Sequence, residues 1–206
     1  MFRRHKGDSR PIGQEIVGMI TRTLGRPREF DEGTVLGEMM AAFWDGGYEG
    51  TSLSDLVHVS KINKGSLYAA FGSKRQIYLK ALERYLDFLV TSIDEALKAP
   101  GIATDHLRSL FHVSAERVAA GDRRGCFLCN ASTDMAASDT DVEELVRSGL
   151  QRLERLFGNA LGPGLSARQR SAKASQLLST YMGIQALARA GYPERSIRSI
   201  IDQTLP

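Results

Sequence analysis

The chain has 206 residues, 42% of them hydrophobic and 25% charged, enough for one large domain or two small ones around a buried core and far from the make-up of a disordered chain. Its two cysteines stand three positions apart; that is no secreted disulfide framework, and two thiols alone cannot complete a tetrahedral zinc site, so neither a metal nor a cofactor is expected. No apolar run approaches the length of a bilayer span and no leader-like apolar core follows the basic start, so the chain is read as cytoplasmic with no membrane partner.

Residues 1–25 are basic, rich in glycine and arginine and weakly periodic, although Ile12, Ile16, Val17 and Ile20 would make a short amphipathic turn. This segment reads as a mobile or loosely docked extension. Gly25-Arg26-Pro27-Arg28 follows, with two readings. One is a flexible linker. The other is an arm that inserts Arg26 and Arg28 into a DNA minor groove, whose concentrated negative potential suits arginine.

A first helix is expected from about Asp31 to Asp45, with Val35, Leu36, Met39, Met40, Phe43 and Trp44 on a wide apolar stripe. Asp31 and Glu32 suit its positive end, and Gly46-Gly47 should stop it. Trp44 and Tyr48 read as packing residues.

Thr51 to Lys74 is the stretch on which the functional reading turns. Ser52 and Asp55 have capping-box spacing, and Leu53, Leu56 and Val57 follow as an apolar face. Ser60 to Ile62 is a turn. Asn63 then caps a second short helix in which Leu67, Phe71 and Ala70 face inward. Lys61, Asn63, Lys64, Gly65, Ser66 and Tyr68, with Thr51 and Ser52 before them, are left for a ligand. Cations, hydroxyls and an amide at a helix start, where free N–H groups and the dipole already favour anions, make a surface fit for the DNA major groove. Charge agrees: residues 1–80 carry 12 Lys and Arg against 9 Asp and Glu, while the rest carry 15 against 15, so the whole net charge of +3 lies with the candidate reader.

The runs G-Y-E-G-T-S-L-S-D-L and I-N-K-G-S-L-Y-A-A-F-G-S-K-R-Q-I-Y resemble the DNA-binding domain of the tetracycline-repressor (TetR) family, in its multidrug-efflux-regulator branch. The likeness is close over residues 26 to about 90 and loose beyond. It departs from the family pattern twice. Lys61 stands where the turn usually has a left-handed glycine, and Ala70 replaces the histidine of the Y-x-H-F motif. The resemblance implies an all-helical chain divided into a helix-turn-helix domain at 26–73 and a ligand-binding and dimerisation domain at 74–206. Because Met19-Ile-Thr-Arg-Thr-Leu-Gly-Arg-Pro is similar to the start of such regulators, Met19 is a second candidate for the translation start.

Ser73 and Gln76 repeat the capping-box spacing, opening a helix that runs to about Lys98 with Tyr78, Leu82, Tyr85, Leu86, Leu89 and Ile93 on one face. At 1.5 Å per residue it is long enough to link two domains. Lys74 at its start is a candidate phosphate contact or a solvated lysine. Asp105 to Ala120 reads as the next helix; His106 and His112 are not at metal-ligand spacing and read as surface or satisfied positions.

Gly125-Cys126-Phe127-Leu128-Cys129-Asn130 opens another helix and is similar to a G-C-L-x-x-N segment of one branch of the family. Cys126 follows Arg123 and Arg124 near a helix N-terminus, a setting that lowers a thiol pKa, so Cys126 with Cys129 is either a sensor thiol pair or two small buried hydrophobes. Asp141 to Leu161 and Ala167 to Ala190 form a long pair around Gly162-Pro163-Gly164. They carry more apolar and small positions than one pair can bury, and the resemblance implies a four-helix homodimer interface in which Gly183 permits close approach. Glu194 to Leu205 is a short last helix.

No phosphate loop, Ser/His/Asp set or acidic pair points to an enzyme. The leading expectation is a repressor whose partners are a double-stranded operator, a second copy of itself and a small-molecule effector of unknown identity, with Phe88, Phe111, Phe127, Met135, Tyr181 and Gln185 as candidate lining of the effector site. Its alternatives are a repressor that senses electrophiles or oxidants through Cys126, and a helical enzyme or adaptor with no DNA role.

Overall fold

The computed structural model describes residues 30–205. The basic extension, the Met19 start and the Arg26/Arg28 arm lie outside the described residues. Among the described residues every regular element is a helix.

Helix α1, Glu32–Gly50, begins where Asp31 accepts a 2.8 Å hydrogen bond from the Thr34 amide. Its stripe of Val35, Met39, Met40, Phe43 and Trp44 is buried, each large side chain contributing about 1.5–3 kcal/mol by leaving water. The expected glycine stop is a kink: Gly47 sits at φ 72°, ψ 177°, and one more helical turn follows to Gly50. Thr51 closes that turn. Its hydroxyl donates to the carbonyls of Gly47 at 2.8 Å and Ala42 at 3.2 Å.

Helix α2, Leu53–Ser60, packs on α1. Its capping box is complete, with the Asp55 amide donating to Ser52 Oγ at 3.1 Å and the Ser52 amide to Asp55 Oδ2 at 2.7 Å. Lys61 turns the chain at φ 57°, ψ 18°, the left-handed conformation, and Asn63 caps α3, Lys64–Phe71, by accepting from the Ser66 amide at 2.8 Å. Leu56, Leu67 and Phe71 are the buried residues that hold the pair to the core.

Helix α4, Lys74–Lys98, is 25 residues long and so spans about 37 Å. It packs on α1 and, further on, on α7, Thr140–Ala160. Arg75 ties its start down: Nε donates to Asp139 Oδ2 at 2.5 Å and Nη2 to Asp139 Oδ1 at 2.8 Å and Asp141 Oδ2 at 2.5 Å. Asp139 is itself the cap of α7, so one carboxylate joins the two helix starts. The remaining elements are α5, Ala103–Ala119, α6, Phe127–Asp134, α8, Ala167–Arg189, and α9, Glu194–Thr204. Helices α7 and α8 pack on each other, Gly158 giving room to Ala174, and α9 covers α5 and α8.

Candidate nucleic-acid interface and effector cavity

The α2–turn–α3 unit presents one polar face. Lys61, Asn63, Lys64, Gly65 and Tyr68 are exposed and Ser66 is half-buried, all on α3 and the turn before it, and Ser52 is exposed at the start of α2. Tyr68 is a large ring left 40% exposed, and Lys64 Nζ lies 5.9 Å from its centre. Lys74, half-buried, stands over the Tyr48 ring at 4.2 Å, which steadies its ammonium near the same end of the molecule. Thr51 is a correction: only 3% exposed, with its hydroxyl engaged by two carbonyls, it belongs to the α1–α2 joint and not to the exposed face.

A cavity of about 240 Å³ lies among α4, α5 and α8. Of the expected lining residues, Phe88, Tyr181 and Gln185 do line it. Phe111, Phe127 and Met135 do not. Phe111 packs against Phe157 and Tyr181, Phe127 against Tyr78 and Tyr85, and Met135 is likewise in the core, because a ring at helical spacing fills a packed interior as readily as it walls a cavity. The walls that sequence reasoning missed are polar. His106, Ser109, Ser114 and Arg117 follow one another along the same face of α5 as Leu110 and Val113, and that interruption of an apolar stripe by polar residues was the signal available. His106, expected as a surface or a satisfied position, is half-buried with a buried Nε2 that has no hydrogen-bond partner. Gln185 Nε2 donates to Ser114 Oγ at 2.7 Å, so two buried polar groups on facing helices satisfy each other.

Arg117 also belongs to a cluster that joins this cavity to α1. Its guanidinium donates to Asp122 at 2.8 and 3.1 Å and lies 5.1 Å from the Trp44 ring. Arg124 donates to the same carboxylate at 3.0 and 3.1 Å and stacks over Trp44 at 4.4 Å. Burial works against ionising Asp122, but the hydrogen bonds from Arg124 and Arg117 outweigh it and hold the carboxyl well below the usual range. Arg189, at the end of α8, donates to the carbonyls of Trp44 at 3.1 Å and Arg124 at 3.2 Å. Trp44 in turn meets Tyr85, a cavity residue, edge to face at 5.0 Å.

Both cysteines are buried and unpaired by any disulfide. Cys126 stands at the N-cap position of α6 without a side-chain capping bond, and its sulfur accepts a hydrogen bond from the Tyr85 hydroxyl at 3.5 Å. Burial opposes its ionisation, yet hydrogen bonds from Cys129, Tyr85 and Tyr181 lower its pKa, while Cys129, which donates, is pushed up. No group of three or more metal-ligating side chains converges among the described residues, and none of the described helices is long and apolar enough to cross a membrane.

A family model, that of the bacterial regulatory proteins of the tetR family, matches residues 39–81. The chain is 31% identical over 139 residues to the uncharacterized HTH-type transcriptional regulator YezE of Bacillus subtilis, covering 67% of this chain and 72% of that one. It is 30% identical over 138 residues to the HTH-type transcriptional repressor ComR of Escherichia coli, covering 66% of each. Among solved structures it is similar to a cysteine mutant of the TetR family transcriptional regulator CifR complexed with 26 bp double-strand operator DNA, with a TM-score of 0.74, 26% identity, and coverage of 88% of this chain and 98% of that one.

Proposed function

The chain belongs to the tetR family of bacterial regulatory proteins, and from that premise we propose that it is a cytoplasmic homodimeric repressor which releases its operator when a small molecule fills the α4–α5–α8 cavity. It is a DNA-binding transcriptional regulator. The observation that carries the reading is the start of α3, where exposed Lys64 and Tyr68 and half-buried Ser66 follow the Asn63 cap, with exposed Lys61 in the preceding turn.

In this reading Lys61, Lys64 and Lys74 meet phosphates and Asn63, Gly65, Ser66 and Tyr68 position the helix or read bases, with Ser52 near the backbone. Arg26 and Arg28 add minor-groove contacts. Two-fold pairing of subunits through α7 and α8 sets the half-sites about 34–36 Å apart or a multiple of it. An effector that binds better to the form with the wrong reader spacing empties the operator by population shift.

Gel shift on the intergenic DNA beside the protein's own gene tests this. Binding by the wild type and loss in Lys64→Ala plus Tyr68→Ala support it; undiminished binding by that double variant overturns the choice of reader.

A second input is favoured by one observation, the hydrogen bonds that lower the Cys126 pKa directly behind the cavity's tyrosines. An electrophile that passes Tyr85 and Tyr181 would alkylate the Cys126 thiol, its proton leaving to solvent or to a base. Cys126→Ser that still binds DNA but no longer responds to N-ethylmaleimide supports a thiol sensor; an unchanged response removes it.

A further inference from the structure

Of the side chains that line the cavity among the described residues, none is a carboxylate, and Arg117 brings a permanent positive charge. The opposite end of the wall adds His106, whose buried Nε2 finds no partner in the protein. Ser92, Ser109, Ser114, Gln185 and the two tyrosines add neutral polar groups, and the remainder is apolar, with Phe88, Leu89, Ile93 and Leu110 along it. A cavity so built has no carboxylate to answer a cation and sets Arg117 against one, while a purely apolar molecule leaves the His106 nitrogen without a partner.

The arginine cluster around it is also short of negative charge. Arg117 and Arg124 share the carboxylate of Asp122, with Asp45 reaching Arg124 only at 3.8 Å and 65% exposed. The hydrogen bonds of Arg189 go to main-chain carbonyls. Two guanidiniums thus lean on one half-buried carboxylate and one solvated one, and the third on carbonyls alone. A guanidinium already withdrawn from water is a strong bidentate partner for a second carboxylate.

Resting on the proposed effector role of this cavity, we infer that its ligand is an organic anion: a small carboxylate with an apolar tail, whose charged end takes Arg117 away from Asp122 and from the face of Trp44. The tail lies along the α4 and α5 residues. The exchange changes what holds α1, because Trp44 sits in α1 against Tyr85, Arg117 and Arg124, and α1 is the helix on which α2 packs. Asp122 is the internal competitor. It keeps Arg124 when Arg117 leaves.

Trp44 is the only tryptophan of the chain, so its emission reports the exchange directly in the full-length protein without DNA. The probes are octanoate, octanol and octylammonium, which share a tail and differ in charge. Octanoate is expected to change Trp44 emission and to bind tighter than octanol by about ten-fold or more, the size of a hydrogen bond to a charged group; octylammonium is expected to leave the emission unchanged. Arg117→Met should bring octanoate down to the affinity of octanol. Asp122→Asn, which removes the competitor, should tighten octanoate several-fold and leave octanol alone.

Equal binding of octanoate and octanol, preference for octylammonium, an unchanged preference in Arg117→Met, or no binding of any probe overturns the inference. If Arg117→Met does not fold, Asp122→Asn decides, since failure to tighten octanoate overturns it equally. None of these outcomes touches the DNA-binding reading, which the gel shift without additive tests separately.

Discussion

Lys61 holds a left-handed backbone at φ 57°, the only described residue other than glycine to do so. A β-carbon there costs about 1 kcal/mol or more, and the position is exposed at the end of α2, where no packing compensates. Lys61→Gly should therefore raise the unfolding midpoint, by about 1 kcal/mol in free energy, while lowering the salt dependence of DNA binding by about one phosphate per subunit. Denaturant unfolding and a salt titration of operator binding read the two effects on the same variant. Tighter DNA binding in the glycine variant would mean that the ammonium is not at a phosphate. Asp122 is the other residue whose chemistry yields a number of the right sign. Its folded pKa is depressed by Arg124 and Arg117, so the unfolded chain takes up its proton first as pH falls; the stability it contributes is complete above the ordinary carboxylate range, near pH 4, and is lost below it. Asp122→Asn should be less stable than wild type at pH 7, with the gap closing between about pH 4 and pH 2 in urea-melt series. A constant gap down to pH 2 would show that the loss is steric.

At the scale of elements, the helix starts were legible because they rest on local chemistry. Ser52 with Asp55, Ser73 with Gln76, and Asn63 each form the cap their spacing implies. The ends were less so. Gly46-Gly47 reads as a stop, but a kink at Gly47 followed by the Thr51 hydroxyl bonds lets α1 run one turn further, and that return bond is invisible before the chain is folded. For the same reason Thr51 looked available for DNA. The cavity was half legible: Phe88, Tyr181 and Gln185 were found, but the spacing that places Phe111 and Phe127 inward cannot distinguish core from cavity wall. Gly125 shows how a short motif acquires a physical cause. It sits at φ +66°, and a β-carbon would stand 2.8 Å from the Gln185 carbonyl oxygen of α8. Gly121 has a similar φ of +84° with nothing within 4 Å. Gly121→Ala should cost about 1 kcal/mol, the conformational term alone, whereas Gly125→Ala should cost about 2 kcal/mol or more because a backbone atom must also move. Equal losses in thermal unfolding would remove the claim that Gly125 is required by the approach of α8.

The whole molecule poses the question of what covers the outer face of α8. Ala172, Gln176, Ser179, Gly183 and Ala186 recur at helical spacing on that face and are all exposed in the single chain, while Leu145, Leu150 and Leu156 on α7 are only half-buried. A β-carbon at Gly183 would meet nothing within 4 Å, so this glycine is not required by packing inside the subunit. Pairing of α7 and α8 with the same helices of a second copy gives it a reason, since small residues let two backbones approach closely, and an isologous contact of this kind fixes two readers on one side of the dimer. Gly183→Arg separates the explanations. It should leave the fold of the subunit intact by circular dichroism, because its side chain points into open space, and should shift the protein to a monomer in light scattering. Operator affinity should then fall on the order of 10²-fold or more, the two half-sites no longer being gripped together, while a single α3 retains its weak, salt-sensitive hold on DNA. A Gly183→Arg protein that remains dimeric and binds its operator at wild-type affinity would put the subunit contact on another face, and would remove the proposed route from a filled cavity to the spacing of two readers.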